Sequence, residues 1–86
     1  MTRTPGDILN VIVASSKQNF YEGEAKSVSS VNSVGPFDIL PRHENFISLI
    51  FKKISIVDSS SQKHELVIDK GLLEVSQDRV RIFVGV

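Results

Sequence analysis

Apolar and polar residues alternate with a period of two along most of this chain. The alternation is cleanest near its end, where Val80, Ile82 and Val84 are interleaved with Arg79, Arg81 and Phe83. Successive side chains of a strand point to opposite faces, so this spacing predicts a half-buried strand. Just upstream, Leu73 and Val75 share one phase of residues 71–76, and Gln77-Asp78 supplies the polar break of a hairpin. Residues 54–57 and 65–68 read as two further short strands around a turn-rich loop at 58–62. At the front, Leu9, Val11 and Val13 alternate with Asn10, Ile12 and Ala14; both phases carry apolar residues, which predicts a strand covered on two sides. Residues 20–31 are rich in strand formers, with Glu22, Glu24 and Lys26 on a solvated side opposite Tyr21, Gly23 and Ala25. In residues 46–51, Phe46, Leu49 and Ile50 also fit one helical face, but six residues rarely sustain a helix, and a strand is expected. Many short strands punctuated by turns predict a single all-β domain, a sandwich or barrel, over residues 8–86, behind a flexible lead at 1–7.

Composition narrows the function classes. A chain of 86 residues holds one domain, and 41% hydrophobic with 23% charged residues is too apolar for disorder. The ten basic residues balance the ten acidic ones and form no stripe, which excludes phosphate-driven nucleic-acid binding. Cysteine is absent, removing disulfides and thiolate chemistry. No apolar run approaches the roughly 20 residues needed to span a bilayer, and the amino terminus lacks the apolar core of a signal peptide. The expectation is a cytoplasmic protein without an anchor of its own and without direct membrane insertion.

Catalytic and metal chemistry find little support. His43 and His64 are far apart with no local ligand cluster, so neither a metal site nor another cofactor is expected. No serine has the context of a nucleophile elbow, and the five glycines are too isolated to cradle a phosphate. One segment stands out: residues 35–44 pack two prolines, a glycine and a histidine around Phe37, Ile39 and Leu40. It reads as a Pro-stiffened turn or as an exposed contact loop.

Three motifs in order carry a resemblance to the amino-terminal β-sandwich of the epsilon subunit of F-type ATP synthases, the mitochondrial delta subunit. They are Tyr21-Glu-Gly23, the loop Gly35-Pro-Phe-Asp-Ile-Leu-Pro-Arg-His43, and Asp69-Lys-Gly-Leu-Leu-Glu-Val75. The resemblance implies a sandwich of two mostly antiparallel sheets with about ten short strands. It implies a non-catalytic rotor subunit on the cytoplasmic side of the membrane, coupling the gamma subunit to the c-ring during ion-driven ATP synthesis. By the same resemblance, Asn32, Ser33, Val34, Gly35, Pro36, Phe37 and Asp38 form the loop facing the c-ring, while Ser15, Arg42 and His43 lie toward gamma. Ile12 and Phe83, apolar residues on the polar faces of their strands, join the gamma-facing set. Phe37 is either an apolar anchor of the loop or a plug of the sandwich.

The chain departs from the family pattern at Pro36, commonly acidic there, and at Arg42 and Lys70, commonly glycine. The family also continues past the position of Val86 into a helical hairpin that inhibits ATP hydrolysis, so coupling without that brake is the expectation. An adaptor outside the synthase is the alternative, and a small hydrolase using His43 with Glu44 or Asp38 is the remote third.

Overall fold

A computed structural model describes residues 8–85 of the chain. The lead expected at residues 1–7 lies outside them. Six strands follow in order: β1 Leu9–Ala14, β2 Asn19–Val31, β3 Pro36–Ile39, β4 Phe46–Asp58, β5 Lys63–Ser76 and β6 Arg79–Val84. They form one sheet in the order β1-β6-β5-β4-β2-β3, and an additional β1–β2 pairing joins its two sides. All pairings are antiparallel except β1–β6.

The expected short strands are halves of long ones. Residues 46–51 and 54–57 are both part of β4, and 65–68 and 71–76 are both part of β5. What looked like breaks are β-bulges, which bend a strand without ending it. Phe51 pairs with Lys70 but Lys52 pairs with Ile68, so Asp69 is left without an opposite residue, and Lys52 takes a left-handed φ of 76°. β2 is bent likewise, with irregularities at Ala25/Ser27 and Ser30/Val31. Bending lets β2, β4 and β5 each serve two layers of a β-sandwich. The first layer runs β2(19–25)-β1-β6-β5(71–76)-β4(46–51), the second β3-β2(27–31)-β4(52–58)-β5(63–68).

Between the layers lies a core of aliphatic side chains, including Leu9, Val13, Ile50, Leu73 and Ile82 from the first and Val28, Ile39, Ile54 and Ile56 from the second. The single buried polar residue among those described, Ser30, donates its hydroxyl to the Lys53 carbonyl at 2.7 Å, satisfying a group that the bulge frees from the ladder. β1 corrects one expectation: Leu9, Val11 and Val13 are buried, but Asn10 is exposed and Ile12 and Ala14 are only half-buried, so its second side is incompletely covered.

Candidate protein-docking faces

The outer face of the first layer carries an apolar row. Backbone register sets Ala14 beside Phe83, Phe83 beside Leu72, and Leu72 beside Leu49, so the row crosses β1, β6, β5 and β4. Phe83, Leu72 and Leu49 are all exposed, and Ile47, 66% exposed, stands two positions along β4. Ile12, Leu72 and Phe83 line a shallow groove of about 370 Å³ in this face. Beside the row, Arg81 meets Glu74 at 3.2 Å, an exposed ion pair that contributes little stability. Large apolar residues in water are ordinary singly; a contiguous row with a polar border marks a contact surface.

Two members of the expected gamma-facing set, Ile12 and Phe83, lie on this face. The other three do not converge with them. Ser15 sits past the end of β1, where its hydroxyl oxygen accepts from the N–H groups of Lys17 and Gln18 at 3.1 and 3.3 Å. Arg42 and His43 lie by the β5–β6 turn, where the Arg42 N–H donates to the Asp78 carboxylate at 2.6 Å and His43 N–H to the Leu40 carbonyl at 3.1 Å. Leu72, Leu49 and Ile47 were missed in the sequence. The available signal was phase: residues 46–51 are apolar in both phases, and Leu72 interrupts an otherwise alternating strand.

The β2–β3 hairpin forms a second candidate. Asn32 organises it, exchanging backbone hydrogen bonds with Gly35 at 3.0 and 3.1 Å while its side-chain oxygen accepts from Val34 and Gly35 N–H. Gly35 has φ 142°, reachable at low strain by glycine. Ser33 is exposed and Val34 is 94% exposed at the tip. Pro36 and Asp38 point outward from β3, and Asp38 accepts the Ser29 hydroxyl at 2.6 Å. Phe37 faces the other way. It is half-buried against the core and meets Phe46 edge-on at 5.5 Å, which in turn meets His43 at 5.7 Å. Val34 is therefore the apolar projection of the hairpin, and Phe37 fills the sandwich.

His43, Asp58, His64 and Tyr21 each make a contact within the fold. His43 turns Nδ1 to the Glu44 carbonyl at 2.8 Å. His64 Nε2 meets Asp58 at 2.8 Å, and its ring packs edge-on against Tyr21. That contact, aided by the N–H groups of Gln62 and Ser60, holds the Asp58 carboxyl below the usual carboxylate range. Burial, and secondarily the Asp58 charge, pushes the Tyr21 hydroxyl up. Among the described residues no three metal-ligating side chains converge, and no helix is long and apolar enough to cross a membrane.

An all-β sandwich with an apolar outer face and a projecting hairpin has the build of a protein-docking module. The chain belongs to the ATP synthase delta/epsilon family: the family model described as "ATP synthase, Delta/Epsilon chain, beta-sandwich domain" matches residues 8–86. The epsilon chain of Neisseria meningitidis is 37% identical over 81 residues, covering 92% of this chain and 58% of that one. The epsilon chain of Helicobacter pylori is 32% identical over 75 residues, covering 87% and 61%. This chain thus spans about three fifths of the length of these relatives. Among solved structures, a chain in the Euglena gracilis mitochondrial ATP synthase (OSCP, F1 and c-ring) superposes with a TM-score of 0.86 at 13% identity, covering 95% of this chain and 53% of that one. One in the Tetrahymena thermophila central stalk and c-ring reaches 0.74 at 10% identity, covering 94% and 66%. At such identities these two likenesses concern the fold.

Proposed function

We propose that this chain is a non-catalytic part of the central stalk of a rotary ATP synthase, seated on the cytoplasmic side of the membrane and linking the gamma subunit to the c-ring. The apolar row from Ala14 through Phe83 and Leu72 to Leu49 carries the reading. A subunit that transmits torque must be clamped to its partner over an area, and a rigid sheet face supplies apolar contact with little ordering cost. In this reading the row binds gamma, with Ile12 at its border. The β2–β3 hairpin, with Val34 at the tip and Pro36 stiffening its base, meets the c-ring. Membership of the delta/epsilon family and the epsilon-chain names of the relatives support the assignment.

Co-expression with the gamma subunit of the same organism tests it. The wild-type chain is expected to co-purify with gamma, and Leu72→Asp and Phe83→Asp are expected to abolish capture while leaving the circular dichroism spectrum unchanged, because both side chains are exposed. Failure of the folded wild-type chain to bind gamma refutes the reading. Val34→Asp is expected to spare gamma capture and weaken association with the assembled c-ring.

A further inference from the structure

We propose that the edge of β5 left uncovered by the described strands pairs with the same edge of a second copy of this chain, antiparallel and centred on Leu66. β4 covers one side of β5 from Phe46↔Val75 to Val57↔Lys63, whereas β6 covers the other side only from Gly71 to Ser76. The Gly85 N–H donated to the Lys70 carbonyl at 3.0 Å marks where that cover ends. Among the described residues, 63–69 have no strand on this side, and such an edge offers N–H and C=O groups to another strand.

Charge on the edge chooses both partner and register. Val67 pairs with Lys53 and Leu66 with the buried Ile54, so Lys63, Glu65, Val67 and Asp69 share the outer face while Leu66 and Ile68 point to the interior. A two-fold axis through Leu66 sets Lys63 of each copy opposite Asp69 of the other, at both ends of the pairing. A centre at Val67 opposes Glu65 to Asp69 at both ends, and a centre between Leu66 and Val67 opposes Lys63 to Lys70; both juxtapose like charges, which is unfavourable across strands. Asp69 has no side-chain partner among the described residues, and Lys63 has only an exposed contact with Glu65 at 3.8 Å, so both are available.

Apolar surface lies along the same edge. Val67 is 92% exposed, and behind Leu66 and Ile68 opens a cavity of about 320 Å³ that Phe20 also lines. Pairing two edges sets Val67 against the aliphatic stem of Glu65 in the other copy and shields the two cavity mouths. The apolar row assigned to gamma is on the other layer and takes no part, so this inference stands or falls independently of the proposed function.

Sedimentation velocity on the full chain from about 5 to 500 μM tests the pairing. A concentration-dependent dimer is expected, weakening with added salt because exposed charge pairs are screened. Asp69→Lys and Lys63→Asp, each turning two attractions into two repulsions, are expected to raise the dimer Kd at least about tenfold, near 1.4 kcal/mol. The double exchange Lys63→Asp/Asp69→Lys is expected to restore it to within about threefold of wild type. A chain that stays monomeric to 500 μM overturns the proposal, as does a dimer indifferent to both single reversals.

Discussion

The backbone N–H of Arg42 donates to the carboxylate of Asp78 at 2.6 Å, tying the loop before β4 to the β5–β6 turn across 36 residues of sequence. Asp78 is also the second of two consecutive left-handed residues, Gln77 at φ 50° and Asp78 at φ 61°, which define a type I′ hairpin turn.

Two effects compete at Asp78. Glycine relieves about 1 kcal/mol of left-handed strain but loses a hydrogen bond of about 1 kcal/mol. Asp78→Gly is therefore expected to leave stability within about 0.5 kcal/mol of wild type, while Asp78→Ala, which loses the bond and keeps the strain, costs about 1–2 kcal/mol. Gln77→Asn is expected to stabilise by about 0.5 kcal/mol, because asparagine tolerates this conformation best among residues with a side chain. Urea midpoints at unchanged slope measure all three.

Gly71 carries a different constraint. A Cβ there stands 3.1 Å from the Phe83 carbonyl oxygen and 3.4 Å from a methylene of Ile50, so backbone of β6 must move to admit it. Gly71→Ala is expected to cost about 1–3 kcal/mol as overpacking. At Gly23 the nearest atom is the Tyr21 hydroxyl oxygen at 3.6 Å, an ordinary contact, and Gly23→Ala is expected to change stability by under about 1 kcal/mol. Equal losses at the two positions contradict the close-approach explanation.

Adjacent leucines separate core from docking face. Leu73 is fully buried, and Leu73→Ala is expected to cost about 2–5 kcal/mol through lost burial and a residual cavity. Leu72, one position away on the opposite face, is exposed, and Leu72→Ala is expected to cost under about 1 kcal/mol while weakening capture of gamma. Thermal unfolding combined with the capture assay checks both halves.

The same pair shows how far the sequence could be read. Period-2 alternation located nearly every buried residue of β1, β5 and β6, since Leu9, Val11, Val13, Leu73, Val75, Val80, Ile82 and Val84 are all core. It could not count strands, because a bulge and a break look alike in composition: Lys52-Lys53 and Asp69-Lys70 are polar interruptions through which β4 and β5 continue. The ordered motifs pointed to the family, but side-chain direction inside them followed from tertiary packing. Residues 35–44 read as a Pro-stiffened turn or contact loop, whereas residues 36–39 form strand β3 and only the residues after it turn toward β4. That Phe37 turns inward onto Phe46 and leaves Val34 as the apolar tip of the β2–β3 hairpin required the fold. The apolar row needed register across four strands, information that no single segment carries.

Asp58 gives the chain an acid-side dependence whose sign follows from its environment. Its carboxylate meets His64 Nε2 and accepts from the N–H groups of Ser60 and Gln62 at 2.8 and 2.9 Å, closing the β4–β5 loop, and these contacts lower its pKa in the folded state. A carboxyl lowered on folding contributes stability that is fully present above its unfolded value of about 3.9 and is lost as pH falls through the folded value. Denaturant midpoints are expected to be insensitive to Asp58 ionisation near neutrality and to drop below about pH 4. Asp58→Asn keeps an oxygen that can accept from Ser60 and Gln62 but removes the charge, so it is expected to destabilise the chain at pH 7 and to narrow the gap from wild type as the pH is lowered. A gap that is constant between pH 7 and 3 contradicts the assignment of this acid response to Asp58.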